Sequence, residues 1–219
     1  MIKFLTVFLF SALALHQFAA AEDIKGDAQA GEKKIAMCIG CHGIIGYQAS
    51  FPVVYKVPKI SGQTASYIVA ALTAYKKGER RNPTMRGIAT TLSDQDMADV
   101  AAYYQQHGHN DNSTLPAQVS PGSDEVNALV QKGACTSCHG PNLSAPIGGA
   151  YPKIAGQHQD YVLVALRSYQ APPQSVWGRN NAIMGGVAKQ FTSDELKMLA
   201  KYVSEQQGEL QTVPQSKFR

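Results

Sequence analysis

An internal repeat is the feature that most constrains this 219-residue chain. The sequence CIGCH at residues 38–42 recurs as CTSCH at residues 135–139, and PKISGQ at residues 58–63 recurs as PKIAGQ at residues 152–157. Conserved order within one chain is the mark of a duplicated structural unit. Because the markers recur in the same order, the chain is predicted to contain two homologous domains.

The first residues have the pattern of a cleaved signal peptide, predicted at residues 1–21. They combine a positive start at Lys3, an apolar run over residues 4–15 and the small residues AAA at 19–21. The alternative, an uncleaved anchor helix, is disfavoured because the run is only about 12 residues long, whereas a bilayer span needs ~20. The mature chain is therefore expected to begin at Glu22 and to be exported to the periplasm.

The remaining chain divides into two helical domains. Residues 109–123, rich in Asn, Ser, Pro and Gly, are predicted to be a linker between domains at 22–108 and 124–219. Apolar residues at helical spacing predict helices at residues 27–38, 64–77, 124–135 and 158–170. One further helix in each domain is predicted to begin at a capping box: Ser93 with Asp96, and Thr192 with Glu195. No segment alternates convincingly as a strand does, so the predicted fold class is all-α.

The repeated C-x-x-C-H motif indicates covalent attachment of haem c. Two thiols about one helical turn apart reach the two vinyl groups of one porphyrin, and the adjacent imidazole lies beneath the iron. The predicted attachment residues are Cys38, Cys41, Cys135 and Cys138, and the first axial ligands are His42 and His139. Three alternatives are weaker. A thioredoxin-like redox pair needs a sheet, a zinc site lacks an obvious fourth ligand, and a disulfide across two residues is rare.

The sixth ligand decides between electron transfer and catalysis, because an open iron can bind oxygen or peroxide. A ligand is expected to recur in both domains. Met85 corresponds to Met184, each predicted in an irregular stretch before the last helix, three residues after Asn82 or Asn181. The candidates that do not recur are Met37, Met97, Met198, His107, His109 and His158. Met85 and Met184 are therefore the predicted sixth ligands.

Two weaker features accompany the motifs. Pro58 and Pro152 could each offer a backbone carbonyl to the ring N–H of the axial histidine, although a turn before a helix explains them equally well. Basic residues cluster around the first methionine: Lys76, Lys77, Arg80, Arg81 and Arg86. Two interpretations of that cluster stay open, a docking surface for an acidic partner and a solvated face.

The residues quoted so far resemble the class I c-type cytochromes, and the duplication with its two P-K-I-x-G-Q segments is similar to the cytochrome c4 family. The resemblance covers residues 22–210. It implies two cytochrome c domains related by a pseudo-two-fold axis, with two haems close enough for internal electron transfer. It also implies that the protein carries electrons from a quinol-oxidising complex to a terminal oxidase. Segment 43–57 is longer than the family pattern and contains a second proline, Pro52. How the edge of the first haem is covered, and which proline orients its histidine, therefore stay open.

The preferred interpretation is a periplasmic di-haem electron carrier, not an enzyme, whose methionine ligands raise the reduction potentials. The alternative is an electron-accepting haem subunit of a dehydrogenase, such as a flavin-dependent sulfide-oxidising complex, or a small di-haem oxidase. The chain carries no flavin or nicotinamide fingerprint of its own. A net charge of +4 is too small and too scattered to suggest a nucleic-acid partner. Redox proteins are the expected partners, and peripheral membrane association is left open.

Overall fold

The computed structural model describes residues 24–108 and 114–214. The predicted signal peptide and the first part of the predicted linker lie outside the described residues. No helix in the described ranges is long and apolar enough to cross a membrane.

Each half is built from short helices with very little strand. In the first half these are α1 (Ala28–Glu32), α2 (Ala36–His42), α3 (Ala65–Lys77), α4 (Pro83–Thr90) and α5 (Asp94–Gln106), with β1 (Gln48–Ala49), β2 (Tyr55–Lys56) and β3 (Arg80–Arg81). In the second half they are α6 (Asp124–Lys132), α7 (Cys135–His139), α8 (Gln159–Gln170), α9 (Ala182–Ala188) and α10 (Ser193–Glu205), with β4 (Gly178–Arg179).

The predicted capping boxes are confirmed at the starts of α5 and α10. The Ser93 hydroxyl accepts the Asp96 N–H, the Thr192 hydroxyl accepts the Glu195 N–H, and both acidic side chains return a contact to the cap. The single helix predicted before each C-x-x-C-H motif is wrong, because each is broken into two. In the second half, Ala134 has a φ of 47°, a left-handed conformation that a continuous right-handed helix cannot contain. The break gives each motif a short helix of its own.

Each half has a hydrophobic core of its own. In the first half, α3 and α5 supply most of the buried side chains, which are Ile35, Ile39, Ile68, Leu72, Ala89, Met97, Val100, Ala101 and Tyr104. In the second half, α6, α8 and α10 play the same part, and the core includes Val126, Leu129, Val162, Leu196, Leu199 and Val203. The repeat therefore encodes two separately packed units, each held by its last helix.

Corresponding residues join the two halves. β3 pairs with β4 in antiparallel register, with Arg80 opposite Arg179 and Arg81 opposite Gly178. These two-residue strands are too short to show the alternation on which strand prediction depends, so the sequence did not reveal them.

Two buried glutamines, one from each half, make equivalent hydrogen bonds to the backbone of the other half. Gln63 Nε2 donates to the Lys153 carbonyl at 2.9 Å, and its Oε1 accepts the Lys153 N–H at 3.0 Å. Gln157 makes the same two bonds with Lys59, at 2.9 and 3.0 Å. The glycine before each glutamine has a positive φ, 83° and 70°, which glycine adopts without a steric penalty. These contacts, called the glutamine clamps below, are reciprocal, as a pseudo-two-fold axis requires.

Candidate haem sites

An apolar cavity of about 620 Å³ reaches both C-x-x-C-H motifs. Its lining includes every residue predicted to hold haem, in the first half Cys38, Cys41, His42 and Met85, and in the second half Cys135, Cys138, His139 and Met184. The fold thus places the two predicted sites on the wall of one cavity, although they are far apart in sequence. The iron-ligand roles of these residues remain predictions.

A backbone carbonyl orients each motif histidine. His42 Nδ1 lies 2.8 Å from the carbonyl oxygen of Pro58, and His139 Nδ1 lies 2.8 Å from that of Pro152. A carbonyl can only accept, so Nδ1 carries the proton and Nε2 keeps its lone pair for a metal ion. Of the two interpretations left open for the prolines, the structure shows the carbonyl contact in both halves, and in the first half Pro58 rather than Pro52 makes it.

The electrostatics of the histidines suit the same role. Burial lowers the pKa of His42 and of His139 below the usual value, and the carbonyl hydrogen bond only partly opposes it. A lowered pKa keeps the imidazole neutral, which is the form that ligates metals.

The four motif cysteines are each half-buried in the cavity wall. Burial raises the pKa of Cys38 to about 11, with the Cys41 thiol adding to it, and burial also raises the pKa of Cys135. Neutral thiols disfavour the thioredoxin-like alternative, which needs a thiolate. Among the described residues, no group of three or more His, Cys, Asp or Glu side chains could hold a metal ion. Two cysteines beside a neutral imidazole, in an apolar wall, fit a c-type haem.

The two recurring methionines lie in the first turns of α4 and α9, so the prediction of irregular stretches is wrong. Asn82 Oδ1 accepts the Met85 N–H at 3.0 Å, and Asn181 Oδ1 accepts the Met184 N–H at 2.9 Å. This is the N-cap bond that fixes the start of a helix. The asparagine three residues upstream therefore sets where each methionine backbone lies on the cavity wall.

The other candidates for sixth ligand are less well placed. Four of them do not line the cavity: Met97, Met198, His107 and His158. Met37 does, but it is 57% exposed and its counterpart in the repeat is Ala134. His109 lies outside the described residues. Recurrence and position thus favour the same two methionines.

The basic cluster around the first methionine does not form a common surface. Arg80 and Arg81 lie on β3 at the contact between the halves, and Arg81 donates to backbone carbonyls of the two prolines after α8. The Lys76 ammonium donates to a backbone carbonyl at 2.7 Å. Lys77 and Arg86 are the members that are exposed. Neither a five-residue docking surface nor a solvated face describes this cluster.

Sequence reasoning missed a second cluster, which lies between the two sites. Arg80 Nη2 donates to the Tyr67 hydroxyl at 2.9 Å, and Arg179 Nη2 donates to the Tyr161 hydroxyl at 2.9 Å. We call this the arginine–tyrosine cluster; its members are Arg80, Arg179, Tyr67, Tyr75, Tyr161 and Tyr169. Every member has its counterpart in the other half, so the recurrence was visible in the sequence, but the contact between halves was not.

Comparison with known proteins gives consistent matches. A family model described as cytochrome c matches twice, at residues 28–108 and 123–207. A cytochrome c4 from Pseudomonas aeruginosa is 31% identical over 185 residues, which cover 81% of this chain and 88% of that protein. A thiosulfate dehydrogenase electron acceptor from Stutzerimonas stutzeri is 30% identical over 197 residues, or 85% and 87% of the two chains. The crystal structure of reduced recombinant cytochrome c4 from Pseudomonas stutzeri has a TM-score of 0.60 and 28% identity, covering 83% of this chain and 100% of that one.

Proposed function

Because this chain belongs to the cytochrome c4 family of two-domain cytochromes c and carries two covalently bound haems, we propose that it is a periplasmic carrier between a quinol-oxidising complex and a terminal oxidase. Family membership makes it a di-haem electron-transfer protein rather than an enzyme. Its location, its electron donor and its electron acceptor are the proposed part.

The cavity that reaches both C-x-x-C-H motifs carries the proposal. When bound there, the haems supply a one-electron couple between ferric and ferrous iron. His42 and Met85 would hold the iron of the first domain, and His139 and Met184 that of the second. Two protein ligands on each iron would leave no position for a substrate, and the apolar wall would limit water around the site. This arrangement supports electron transfer and disfavours chemistry on a bound substrate.

The first half also presents an apolar surface that suits a protein partner. Segment 43–57 carries exposed apolar side chains. Among them, Ile45 is 74% exposed and Val54 is 64% exposed. Two other residues of this segment, Tyr47 and Phe51, line the cavity. Exposed apolar patches often mark protein–protein contact sites. This segment is called the apolar hairpin below, because β1 and β2 pair within it in antiparallel register. A redox protein docked on it would lie beside the first haem site.

The intact mass of the exported protein tests the haem load and the signal peptide. The expected mass is that of residues 22–219 with two haems attached. A variant with Cys135→Ala and Cys138→Ala is expected to lose one haem while the first domain stays coloured, since each half has its own core. A mass equal to the bare polypeptide, or to one haem only, would contradict the proposal.

Electron exchange tests the carrier role. The reduced protein is expected to be oxidised rapidly by membranes that contain a terminal oxidase. In the apolar hairpin, Ile45→Gln is expected to slow this exchange without changing either reduction potential, because it removes an apolar contact and adds no charge. Val176→Gln is the matched control, because Val176 is 73% exposed and lies in the second half. Equal slowing by both variants would argue against docking at the hairpin, and no exchange at all would refute the carrier role.

A second candidate is an electron acceptor for a dehydrogenase, supported by the similarity to a thiosulfate dehydrogenase electron acceptor. The chain would then receive electrons from a separate catalytic protein. Anaerobic mixing with a purified thiosulfate dehydrogenase and thiosulfate distinguishes the two functions. Faster reduction by that enzyme than by a quinol-oxidising complex would favour the second candidate, and no reduction would exclude this donor.

A further inference from the structure

A buried tyrosine on the wall of the haem cavity has an unused hydroxyl. Tyr104 lies on α5, is 2% exposed and lines the cavity that reaches both C-x-x-C-H motifs. Its hydroxyl makes no hydrogen bond to any residue that the structure describes. Buried side-chain atoms of Thr64, Arg81 and Ser144 share that condition, but these three residues do not line the cavity. Tyr104 therefore offers a donor to the space that haem fills.

The second half has an apolar side chain at the corresponding position. The Gly62 N–H donates to the Tyr104 carbonyl at 2.8 Å. Its counterpart in the repeat, the Gly156 N–H, donates to the Val203 carbonyl at 3.0 Å, so Val203 corresponds to Tyr104. Val203 is also buried and also lines the cavity. The same place on the cavity wall is thus polar in the first half and apolar in the second.

The Cys38 sulfur offers this hydroxyl an acceptor. Cys38 packs against the core that contains Tyr104. Burial raises the pKa of Tyr104, and the nearby Cys38 side chain raises it further, so the phenol stays protonated near neutral pH and can donate. In the haem-bound protein, addition of the thiol to a vinyl group has moved its proton to one vinyl carbon and bonded the sulfur to the other. The resulting thioether has no proton left and can only accept a hydrogen bond.

We propose that Tyr104 donates a hydrogen bond to the Cys38 thioether sulfur and that this bond raises the reduction potential of the first haem. A donated hydrogen bond draws electron density from the sulfur and from the porphyrin bonded to it, which disfavours ferric iron. Hydrogen bonds to the groups around a haem are one means by which a protein sets its potential. The proposal rests on the attached haem, and on neither the proposed electron donor nor the proposed electron acceptor.

The difference between the halves gives this hydrogen bond a consequence for function. Val203 carries no donor, so the second haem lacks an equivalent bond. The two sites are otherwise alike in their motifs and recurring methionines, and each motif histidine contacts a proline carbonyl at 2.8 Å. Tyr104 is therefore expected to separate two potentials that similar ligands alone would set close together. Such a difference gives electron transfer between the two haems a preferred direction.

Redox titration of the complete di-haem protein tests the bond. Tyr104→Phe removes the hydroxyl and keeps the ring, and it is expected to lower one midpoint potential and leave the other unchanged. The same decrease is expected in the Cys135→Ala/Cys138→Ala background, where only the first haem is attached, and this identifies the haem concerned. Tyr202→Phe is the matched control. Tyr202 is also buried, but its hydroxyl donates to the Ser120 carbonyl at 3.0 Å and it does not line the cavity, so both potentials are expected to be unchanged.

Unfolding of the di-haem protein in guanidinium chloride supplies a second measurement. A buried hydroxyl that has a partner stabilises the fold, whereas one without a partner destabilises it. Tyr104→Phe is therefore expected to lower the unfolding midpoint. An unchanged or higher midpoint would overturn the proposal, as would unchanged potentials, equal shifts of both potentials, or the same shift in Tyr202→Phe. Failure of electron exchange with an oxidase would instead contradict the proposed function and leave these equilibrium potentials as they are.

Discussion

Removal of one glutamine clamp is expected to destabilise the contact between the halves. Gln63 is 4% exposed, and its side chain makes three hydrogen bonds, two with the Lys153 backbone and one with the Thr64 N–H. A hydrogen bond contributes about 1 kcal/mol, and a buried group left without its partner costs about 1–3 kcal/mol. Gln63→Ala is therefore expected to lower the free energy of unfolding by about 2–4 kcal/mol, and Gln157→Ala by a similar amount.

Equilibrium unfolding in guanidinium chloride, monitored by the fluorescence of the single tryptophan, Trp177, measures this loss. Gln207→Ala is the matched control. Gln207 is exposed and makes one long bond of 3.3 Å, so its removal is expected to change stability by less than about 0.5 kcal/mol. The double variant Gln63→Ala/Gln157→Ala is expected to unfold in two separate transitions, because both clamps are then absent. A Gln63→Ala midpoint equal to that of Gln207→Ala would refute the reasoning.

Two further predictions concern the ligands and the first core. Met85→Ala and Met184→Ala are each expected to halve the sulfur-to-iron charge-transfer absorption of the oxidised protein and to lower one reduction potential; full absorption in either would transfer the role to another residue. Asp99 is buried, and the hydrogen bond from Lys34 lowers its pKa. Its stabilisation is therefore present above the unfolded-state pKa of about 3.9 and is lost as pH falls through the lower folded-state value. Asp99→Asn is expected to cost about 1–3 kcal/mol at pH 7 and progressively less below about pH 4 in unfolding experiments; a cost that does not change with pH would contradict this.

The sequence predicted those features whose evidence is local. The predicted all-α tandem of two cytochrome c domains is confirmed. It could be predicted because a repeated motif, or a capping box such as Ser93 with Asp96, lies within a few consecutive residues. What the sequence did not reveal depends on distant partners. β3 and β4 exist because they pair with each other. Arg80 was grouped with a surface cluster, since nothing near it in sequence indicates that it turns toward the opposite half. Gln63 was visible only as a marker of the repeat.

The glutamine clamps use the same residues from both halves, so each half presents one self-complementary patch. That is the geometry of an isologous interface, the kind that joins two identical subunits in a symmetric homodimer. In a homodimer every substitution appears in both subunits. Two copies on one polypeptide can instead diverge at every position outside this self-complementary patch. Such divergence is present: buried Asp99 corresponds to Met198 in the second half, and the apolar hairpin is longer than its counterpart. A fused pair can therefore become directional, with one end adapted to receive electrons and the other to deliver them.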